Sequence, residues 1–410
     1  MDIPGLPARR AALNLIDAVL RRGETLDQAG GSALARVKGD ADRALARAIA
    51  GEVLRWKQDL DALIDSATRL PLADDAKARA VLQIMLAQVL RLETPAHAVI
   101  ATGLPLLMGG PRRLAHGVFS TLTKREVTLP EVPTLPDAVM ERWGVRAEAI
   151  AAGLSEPPPL DLALRDAAAT AEWAEKLGGV SLMPGHVRLP RGIAVEHLEG
   201  FRDGAWWVQD LAASLPARLL GAGEGRRALD LCAAPGGKTM QLAAAGWQVT
   251  ALDNAKRRLE RLRENLQRTG LEADVVQADA LAWEPEEKFD AILLDAPCTA
   301  TGTSRRHPDV LHRIGARQIG EMTEIQSKML ERAAQWLKPG GVLVYAVCSM
   351  EPEEGEEQAA EVELTPVPVT ASELPEGLAA SGEGWLRTDP GMLSEAGGLD
   401  GFFIARWANT

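Results

Sequence analysis

The chain has 410 residues, of which 46 % are hydrophobic and 25 % are charged. These are values of globular proteins, so a chain that is disordered throughout is excluded, and the length suggests two or three domains. We find no run of about 18 uncharged apolar residues, so we expect no membrane span. Three cysteines in a chain of this length do not make a disulfide framework, and we expect a cytoplasmic protein without a signal peptide.

The net charge of −12 is unevenly distributed along the chain. Residues 351–410 carry 13 Asp and Glu against two Lys and Arg, whereas residues 1–130 carry 18 basic and 14 acidic residues. The overall sign therefore neither supports nor excludes a nucleic-acid partner, because a local basic surface is sufficient for binding.

Residues 1–130 have the apolar periodicity of helices. One stripe recurs at intervals of three and four, which places its members on one face of a helix: Leu45, Ile49, Val53, Trp56, Leu60 and Leu63. Two further stripes follow the same spacing, and Gly and Pro separate them. We predict an all-α bundle of five or more helices.

Residues 131–225 differ in composition. Three prolines lie between Pro130 and Pro136, which is typical of a linker, and Pro157–Pro159 is a second break. Short β-like runs then alternate with Gly and Pro. We predict a small α+β connector.

From residue 226 onwards, strand-like runs alternate with helical stripes. The runs are residues 228–231, 248–252, 274–277, 289–294 and 341–347. This alternation is typical of a doubly wound parallel sheet. We therefore predict an α/β domain over 226–410.

Six acidic or thiol residues follow these strands. They are Cys232, Asp253, Asp279, Asp295, Cys298 and Cys348. Ligands of an open parallel sheet bind beyond the carboxyl ends of its strands, so we expect these side chains to share one pocket. A single buried cysteine is ordinarily a small hydrophobic residue. All three cysteines of the chain at one sheet edge favour a chemical role.

The first of these strands leads into a turn of small residues that opens a helix. The turn consists of Cys232, Ala233, Ala234, Pro235, Gly236, Gly237 and Lys238. A phosphate-binding loop would need glycine at position 232, and the dinucleotide fingerprint would need glycines where Ala233 and Ala234 stand. A ligand with a nucleoside and a carboxylate remains, and S-adenosylmethionine fits.

Two acids after the next strands support that ligand. Asp253 is placed to accept from both ribose hydroxyls, and Asp279 from the adenine amino group. The alternative for each acid is a helix cap, which is common after a strand. Two acids on successive strands beside this turn favour the cofactor.

The remaining thiols and Asp295 match one reaction, methyl transfer to C5 of cytosine. C5 is too electron-poor to take a methyl cation until a thiolate adds to C6. The reaction also needs a proton donor or a hydrogen bond at the ring N3, which a carboxyl group such as Asp295 can provide. A second thiolate can remove the C5 proton. Cys298 and Cys348 lack neighbouring Cys or His at ligand spacing, so we expect no metal site.

A short basic patch follows the Cys298 loop. We expect Arg305, Arg306 and His307 to contact RNA phosphates beside a flipped-out nucleotide. The alternative is a solvated loop with a salt bridge.

With these residues in place, residues 155–410 resemble the RNA cytosine-C5 methyltransferases of the NOL1/NOP2/Sun type. The similar segments are 229–239, 295–298, 347–349, 209–213, 306–309, 353–354 and 400–405. The resemblance implies a Rossmann-like S-adenosylmethionine-dependent methyltransferase domain. It also implies that Cys348 is the nucleophile and Cys298 the base that releases the product.

Residues 1–130 resemble the NusB-like domain of the RsmB/Sun branch, through residues 94–98 and 116–122. The connector over 131–225 resembles the family's small RNA-recognition-like insert. The resemblance implies small-subunit ribosomal RNA as the substrate, with neither DNA nor membrane as a partner, and we expect a monomer. A tRNA cytosine-C5 methyltransferase and a non-catalytic RNA-binding assembly factor remain alternatives.

Overall fold

The computed structural model describes residues 3–410, which form two compact units. The first, the helical unit, contains the chain up to Ser155 together with Arg306–Ile314. The second, the catalytic unit, contains Glu156–Arg305 and Gly315–Thr410. The helical unit thus includes a segment that follows the Cys298 loop in the sequence. The bounds of the two units differ from the predicted domain limits at residues 130 and 226.

The helical unit consists of helices that bury an aliphatic core. Its α-helices are α1 (Leu6–Arg22), α2 (Leu26–Ala33), α3 (Asp40–Arg55), α4 (Lys57–Ser66), α5 (Lys77–Leu90), α6 (Ala96–Gly103), α7 (Gly109–Lys124), α8 (Asp137–Trp143), α9 (Ala147–Gly153) and, from the later segment, α14 (Val310–Arg313). The predicted all-α bundle is confirmed. Helix α5 is apolar on nearly every side because it lies in the middle of this core.

The stripe from Leu45 to Leu63 belongs to two helices, not to one. The helix bends at Trp56, whose φ of −105° and ψ of 18° separate α3 from α4. Ile49, Val53 and Leu60 are nevertheless fully buried, so the periodicity identified the core correctly. A short break that keeps the spacing of three or four leaves no trace in an apolar pattern.

The helical unit continues beyond the predicted end at residue 130 because polar groups bind the linker to it. The buried Asp59 carboxylate accepts from the amide and the hydroxyl of Thr134, at 2.9 and 2.6 Å. Arg55 donates to the carbonyl of Leu154 at 2.7 Å. These bonds connect residues 134 and 154 to α4 and α3 and provide partners for buried polar groups.

The small α+β connector forms the first part of the catalytic unit. Its antiparallel sheet has the order β2-β1-β3, and its strands and helix are β1 (Leu160–Leu164), β2 (His186–Leu189), β3 (Trp206–Val208) and α10 (Thr170–Leu177). Asp161 in β1 accepts two hydrogen bonds from Arg188 in β2. The predicted α+β character of this segment is confirmed.

A large mixed sheet forms the rest of the catalytic unit, in the order β10-β11-β8-β7-β4-β5-β6 with β9 beside β11. The strands are β4 (Arg227–Leu231), β5 (Gln248–Asp253), β6 (Asp274–Gln277), β7 (Phe289–Asp295), β8 (Leu337–Val347), β9 (Thr365–Pro366), β10 (Leu386–Thr388) and β11 (Phe402–Ala408). The helices are α11 (Leu211–Arg218), α12 (Gly237–Ala244), α13 (Lys256–Thr269), α15 (Ala316–Gln335) and α16 (Glu356–Ala360).

Strands β8, β7, β4, β5 and β6 are parallel, as the sequence predicts, and they place five strand ends along one edge. Strand β11 adds to β8 in the antiparallel direction, which the alternation of strands and helices did not foresee. Over residues 3–410, no helix combines the length and the apolar character needed to cross a membrane.

Candidate active site

Two thiols meet at the ends of the neighbouring strands β7 and β8. Cys348 follows β8 directly and Cys298 follows β7 by three residues, while Asp295 and Ala346 pair across the two strands. The sulfur atoms of Cys298 and Cys348 lie 3.4 Å apart, and both side chains are half-buried. The structure thus brings together the two cysteines that the sequence placed fifty residues apart.

The hydrogen bond with Cys348 and then burial raise the pKa of Cys298 well above its ordinary value. The negative charge of Glu354 acts in the same direction. Cys298 is therefore a protonated thiol at neutral pH.

A lysine–carboxylate pair lies at the same end of β7. The ammonium group of Lys238, in the first turn of α12, donates to Oδ2 of Asp295 at 2.7 Å. Burial by itself would lower the pKa of Lys238, but Asp295 and then Cys348 raise it above its ordinary value. The sequence assigned Lys238 to the cofactor turn, and only the neighbouring positions of β4 and β7 in the sheet bring it to Asp295.

The turn after β4 has a strained start and a helix at its end. Cys232 has a φ of +61°, a region that side chains rarely adopt, and Gly236 has a φ of +103° before α12 begins at Gly237. Ala233 and Ala234 are buried small residues between them. Burial and the charge of Asp295 raise the pKa of Cys232 well above its ordinary value, so this thiol stays protonated.

Asp253 ends β5 beside this turn and is almost fully buried. Its Oδ2 accepts from the amide of Ala234 at 3.2 Å, and its Oδ1 accepts from the amide of Ala255 at 2.9 Å. A carboxylate offers about four acceptor positions, so capacity for further donors remains beside the Arg258 guanidinium group, which lies 3.5 Å from Oδ2. The position fits the role that the sequence predicts for this acid.

Asp279 lies in a different environment from Asp253. It follows β6, its side chain is exposed, and its Oδ1 accepts from the amide of Leu281 at 2.9 Å. This bond closes a turn, and no helix begins between β6 and β7, so Asp279 is not the helix cap that the sequence left open as an alternative. Asp279 has further acceptor positions, and its contact with the adenine amino group stays a prediction.

Sequence reasoning missed Asp230, which lies in β4 beneath the turn. It is fully buried, Thr239 donates to its Oδ2 at 2.6 Å, and its Oδ1 has no hydrogen-bond partner among the described residues. Burial raises the pKa of Asp230 to about 7. A carboxylate inside a strand-like run was the available signal, because a charged residue is seldom fully buried without a function or a partner.

The prediction that Arg305 contacts RNA is wrong for the described structure. Its side chain is 2 % exposed and donates to Asp400 at 3.2 Å, to Asp210 at 3.4 Å and to the carbonyl of Gly397 at 2.8 Å. These bonds use three of its five N–H groups, and its burial keeps the guanidinium group away from a phosphate at the surface. Arg306 and His307 are half-buried and belong to the segment assigned to the helical unit, and their contact with RNA stays a prediction.

The residues at the strand ends fit S-adenosylmethionine. Ala233 and Ala234 allow close approach to the backbone, and Asp253 retains acceptor positions suited to ribose hydroxyls. The unpartnered Oδ1 of Asp230 is an acceptor suited to an ammonium group. Among the described residues, no group of three or more His, Cys, Asp or Glu side chains is arranged to hold a metal ion.

Comparison with known proteins agrees with this chemistry. The family described as 16S rRNA methyltransferase RsmB/F matches residues 217–408, and the NusB family matches residues 6–106. Ribosomal RNA small subunit methyltransferase B of Xanthomonas campestris is 34 % identical over 86 % of this chain and 87 % of its own length. The protein of the same name from Xylella fastidiosa is 34 % identical over 98 % of both chains.

The chain belongs to the RsmB/Sun family of rRNA methyltransferases. It is an S-adenosylmethionine-dependent RNA methyltransferase with a NusB domain at its amino end. A methyltransferase homologue from Pyrococcus horikoshii has a TM-score of 0.56 and 28 % identity over 67 % of this chain and 94 % of its own. NSun6 from the same organism, solved with SFG, has the same fold at a TM-score of 0.58, with 20 % identity over 67 % of this chain and 98 % of its own.

Proposed function

We propose that this RsmB/Sun-family chain methylates C5 of a cytosine in small-subunit ribosomal RNA through a covalent protein–RNA adduct. The observation that carries the proposal is the pair of sulfur atoms 3.4 Å apart beside the Lys238–Asp295 pair. This reaction requires one thiol that attacks C6, a second thiol that takes a proton from C5, and a group that forms a hydrogen bond with the ring nitrogen N3.

In the first step, the Cys348 sulfur adds to C6 of cytosine as a thiolate. The Cys298 S–H, 3.4 Å from the Cys348 sulfur, can donate to it and so stabilise the negative charge of the Cys348 thiolate. Addition at C6 makes N3 more basic and C5 electron-rich. The Asp295 carboxylate, oriented by Lys238, is placed to accept a hydrogen bond from the protonated N3.

S-adenosylmethionine supplies an electrophilic methyl group, which the electron-rich C5 accepts. Cys298 then removes the proton from C5, the bond between C6 and the Cys348 sulfur breaks, and the Cys348 thiolate is released. Once the Cys348 sulfur is bonded to C6 it carries no charge, so Cys298 can pass its proton through water to N3 and act as the thiolate that takes the C5 proton; N3 returns its proton to solvent when the Cys348 thiolate leaves. The family resemblance supports this division of roles between the two thiols.

The names of the curated relatives support small-subunit ribosomal RNA as the substrate. We propose that Arg306 and His307 contact phosphates of that RNA. The intact Cys298, Cys348 and Lys238–Asp295 geometry argues against a non-catalytic assembly factor.

Bisulfite sequencing of RNA from cells with and without the protein tests the proposal. We expect one cytosine of the small-subunit ribosomal RNA to lose its 5-methyl mark when the gene is deleted, and to regain it with the wild-type protein but not with Cys348→Ala. A mark lost from tRNA alone would assign the tRNA alternative. Unchanged cytosine methylation in both RNA classes would contradict the proposed reaction.

A further inference from the structure

The loop after Cys298 and the loop after Cys348 are joined by one buried carboxylate. Glu354 lies six residues beyond Cys348 and is fully buried. The amide of Thr299 donates to its two carboxylate oxygens at 3.0 and 3.1 Å, and the Thr299 hydroxyl donates to Oε2 at 3.2 Å. Thr299 is the residue directly after Cys298, so these bonds act on the backbone that carries that thiol.

Hydroxyl groups extend the link to the other cysteine. The hydroxyl of Ser349, the residue directly after Cys348, lies 3.3 Å from that of Thr299 and 3.4 Å from that of Thr301. Thr301 in turn accepts from the amide of Met350 at 2.9 Å. All these residues except Met350 provide side-chain oxygens, and all are almost completely buried. The network therefore connects the residues that follow the two cysteines.

Backbone contacts fix the position of the carboxylate itself. Tyr345, in strand β8, donates from its hydroxyl to the carbonyl of Glu354 at 2.6 Å. The amide of Gly302 donates to the carbonyl of Cys348 at 3.0 Å. A side chain at Gly302 would overlap the carbonyl of Gly401, so this close approach requires glycine. Both cysteine loops are thus held to the sheet and to each other.

Glu354 is a buried carboxylate that has no cation beside it among the described residues. No lysine or arginine of the described residues forms an ion pair with it, and only amide and hydroxyl donors compensate for its burial. Burying a carboxylate without a cation is costly, and burial raises the pKa of Glu354 above its ordinary value. A glutamine in its place would turn an NH2 group, which is a donor, towards the Thr299 amide, so this arrangement requires both oxygens of a carboxylate.

We infer that Glu354 is a positioning residue that fixes the loops of Cys298 and Cys348 and so sets the separation of their sulfur atoms. The inference rests on the proposed function, because the two thiols act together only in the covalent mechanism. Glu354 itself touches neither thiol and forms no bond with the substrate in that mechanism.

The test compares Glu354→Gln and Glu354→Ala with Glu357→Gln, a matched control because Glu357 is an exposed carboxylate three residues away. The separation of the two sulfur atoms is probed by binding of phenylarsine oxide, whose arsenic atom binds two sulfur atoms only where they are close together. We expect the full-length wild type and Glu357→Gln to bind it equally, and both Glu354 variants to need several-fold more reagent. Cys298→Ala should abolish tight binding, which shows that the signal comes from this pair.

Turnover on ribosomal RNA provides the second readout. We expect kcat to fall by about 10- to 100-fold in both Glu354 variants, with the KM for S-adenosylmethionine within about two-fold of wild type, because misplaced reacting atoms slow the chemical step. Wild-type arsenical binding and wild-type kcat in Glu354→Ala would overturn the inference. If Glu354→Ala does not fold by circular dichroism, Glu354→Gln and Thr299→Val, which removes one hydroxyl of the network, decide the outcome.

The two proposals fail in different ways. If wild-type protein does not methylate cytosine, the proposed function is wrong, whereas the arsenical still reports whether Glu354 holds the thiols together. If wild-type protein is active and the Glu354 variants match it in both readouts, only the positioning role is wrong.

Discussion

Two neighbouring regions at the same edge of the parallel sheet use cysteine in different ways. At β4, Cys232 has a left-handed backbone and a thiol whose pKa is raised mainly by burial, in a turn of small residues. At β7 and β8, Cys298 and Cys348 lie within hydrogen-bond distance of each other and beside the Lys238–Asp295 pair. A position at the end of a strand brings a residue to the pocket. The side chains that it contacts there determine its chemical role.

The largest loss of activity should follow removal of the attacking thiol. We expect Cys348→Ala to lower methyl transfer by about four orders of magnitude or more, because the thiolate that adds to C6 is lost and Cys298 is left with its role as the base. Cofactor affinity, measured by calorimetry, should stay close to wild type because the β4 turn is untouched. Turnover near the wild-type rate would remove Cys348 from the nucleophile role.

The second thiol should give a different defect. With Cys298→Ala, addition and methylation should proceed but the C5 proton should stay, so a covalent protein–RNA adduct should accumulate and multiple turnover should stop. A denaturing gel should show a shifted, RNA-dependent band that is absent from the Cys298→Ala, Cys348→Ala double variant. Without such a band, the release role of Cys298 would be contradicted.

At the cofactor end, the effect should fall on binding. Asp253→Ala removes a buried acceptor of two backbone amides and of the expected ribose hydroxyls. We expect the affinity for S-adenosylmethionine to weaken by about 1–3 kcal/mol. The exposed Asp279→Ala should have a smaller effect, and calorimetry of both variants measures the difference. An unchanged affinity in Asp253→Ala would count against its assignment.

Asp230 should affect stability in a pH-dependent way. Its pKa is about 7 in the folded chain against 3.8 ordinarily, so ionisation of the unfolded chain makes wild type less stable as the pH rises from about 4 to about 7. Asp230→Asn, which still accepts from Thr239, should raise the free energy of unfolding by roughly 1–2 kcal/mol at pH 8, with the gain shrinking towards pH 4. Denaturant unfolding at several pH values measures this, and a pH-independent gain would contradict it.

The smallest effect should come from the third thiol. Cys232→Ser keeps the size of the side chain and removes a thiol that burial already keeps protonated. We expect kcat within about two-fold of wild type, in contrast to the losses at Cys298 and Cys348. A loss of activity comparable to that of Cys348→Ala would show that Cys232 takes part in the chemistry and would end the distinction between the two regions.

Much of the fold was predictable because its signals are local. The runs at 228–231 and 289–294 coincide with β4 and most of β7, since a buried parallel strand reads as a short apolar run, and the run at 274–277 coincides with the edge strand β6. The break at Trp56 and the antiparallel strand β11 were not predictable in this way. Neither changes the local apolar spacing, and both depend on contacts with distant segments.

For the active site, the sequence by itself determined which residue types arrive at the strand ends, because strand length and the turn that follows are local properties. It also determined the family, through motifs with fixed spacing. Only the tertiary structure decided what those residues contact. Arg305 became a buried partner of Asp210 and Asp400, Lys238 reached Asp295, and Glu354 joined two loops fifty residues apart. Hydrogen bonds and ion pairs act over a few ångströms, and which groups come that close is set by the order of strands in the sheet.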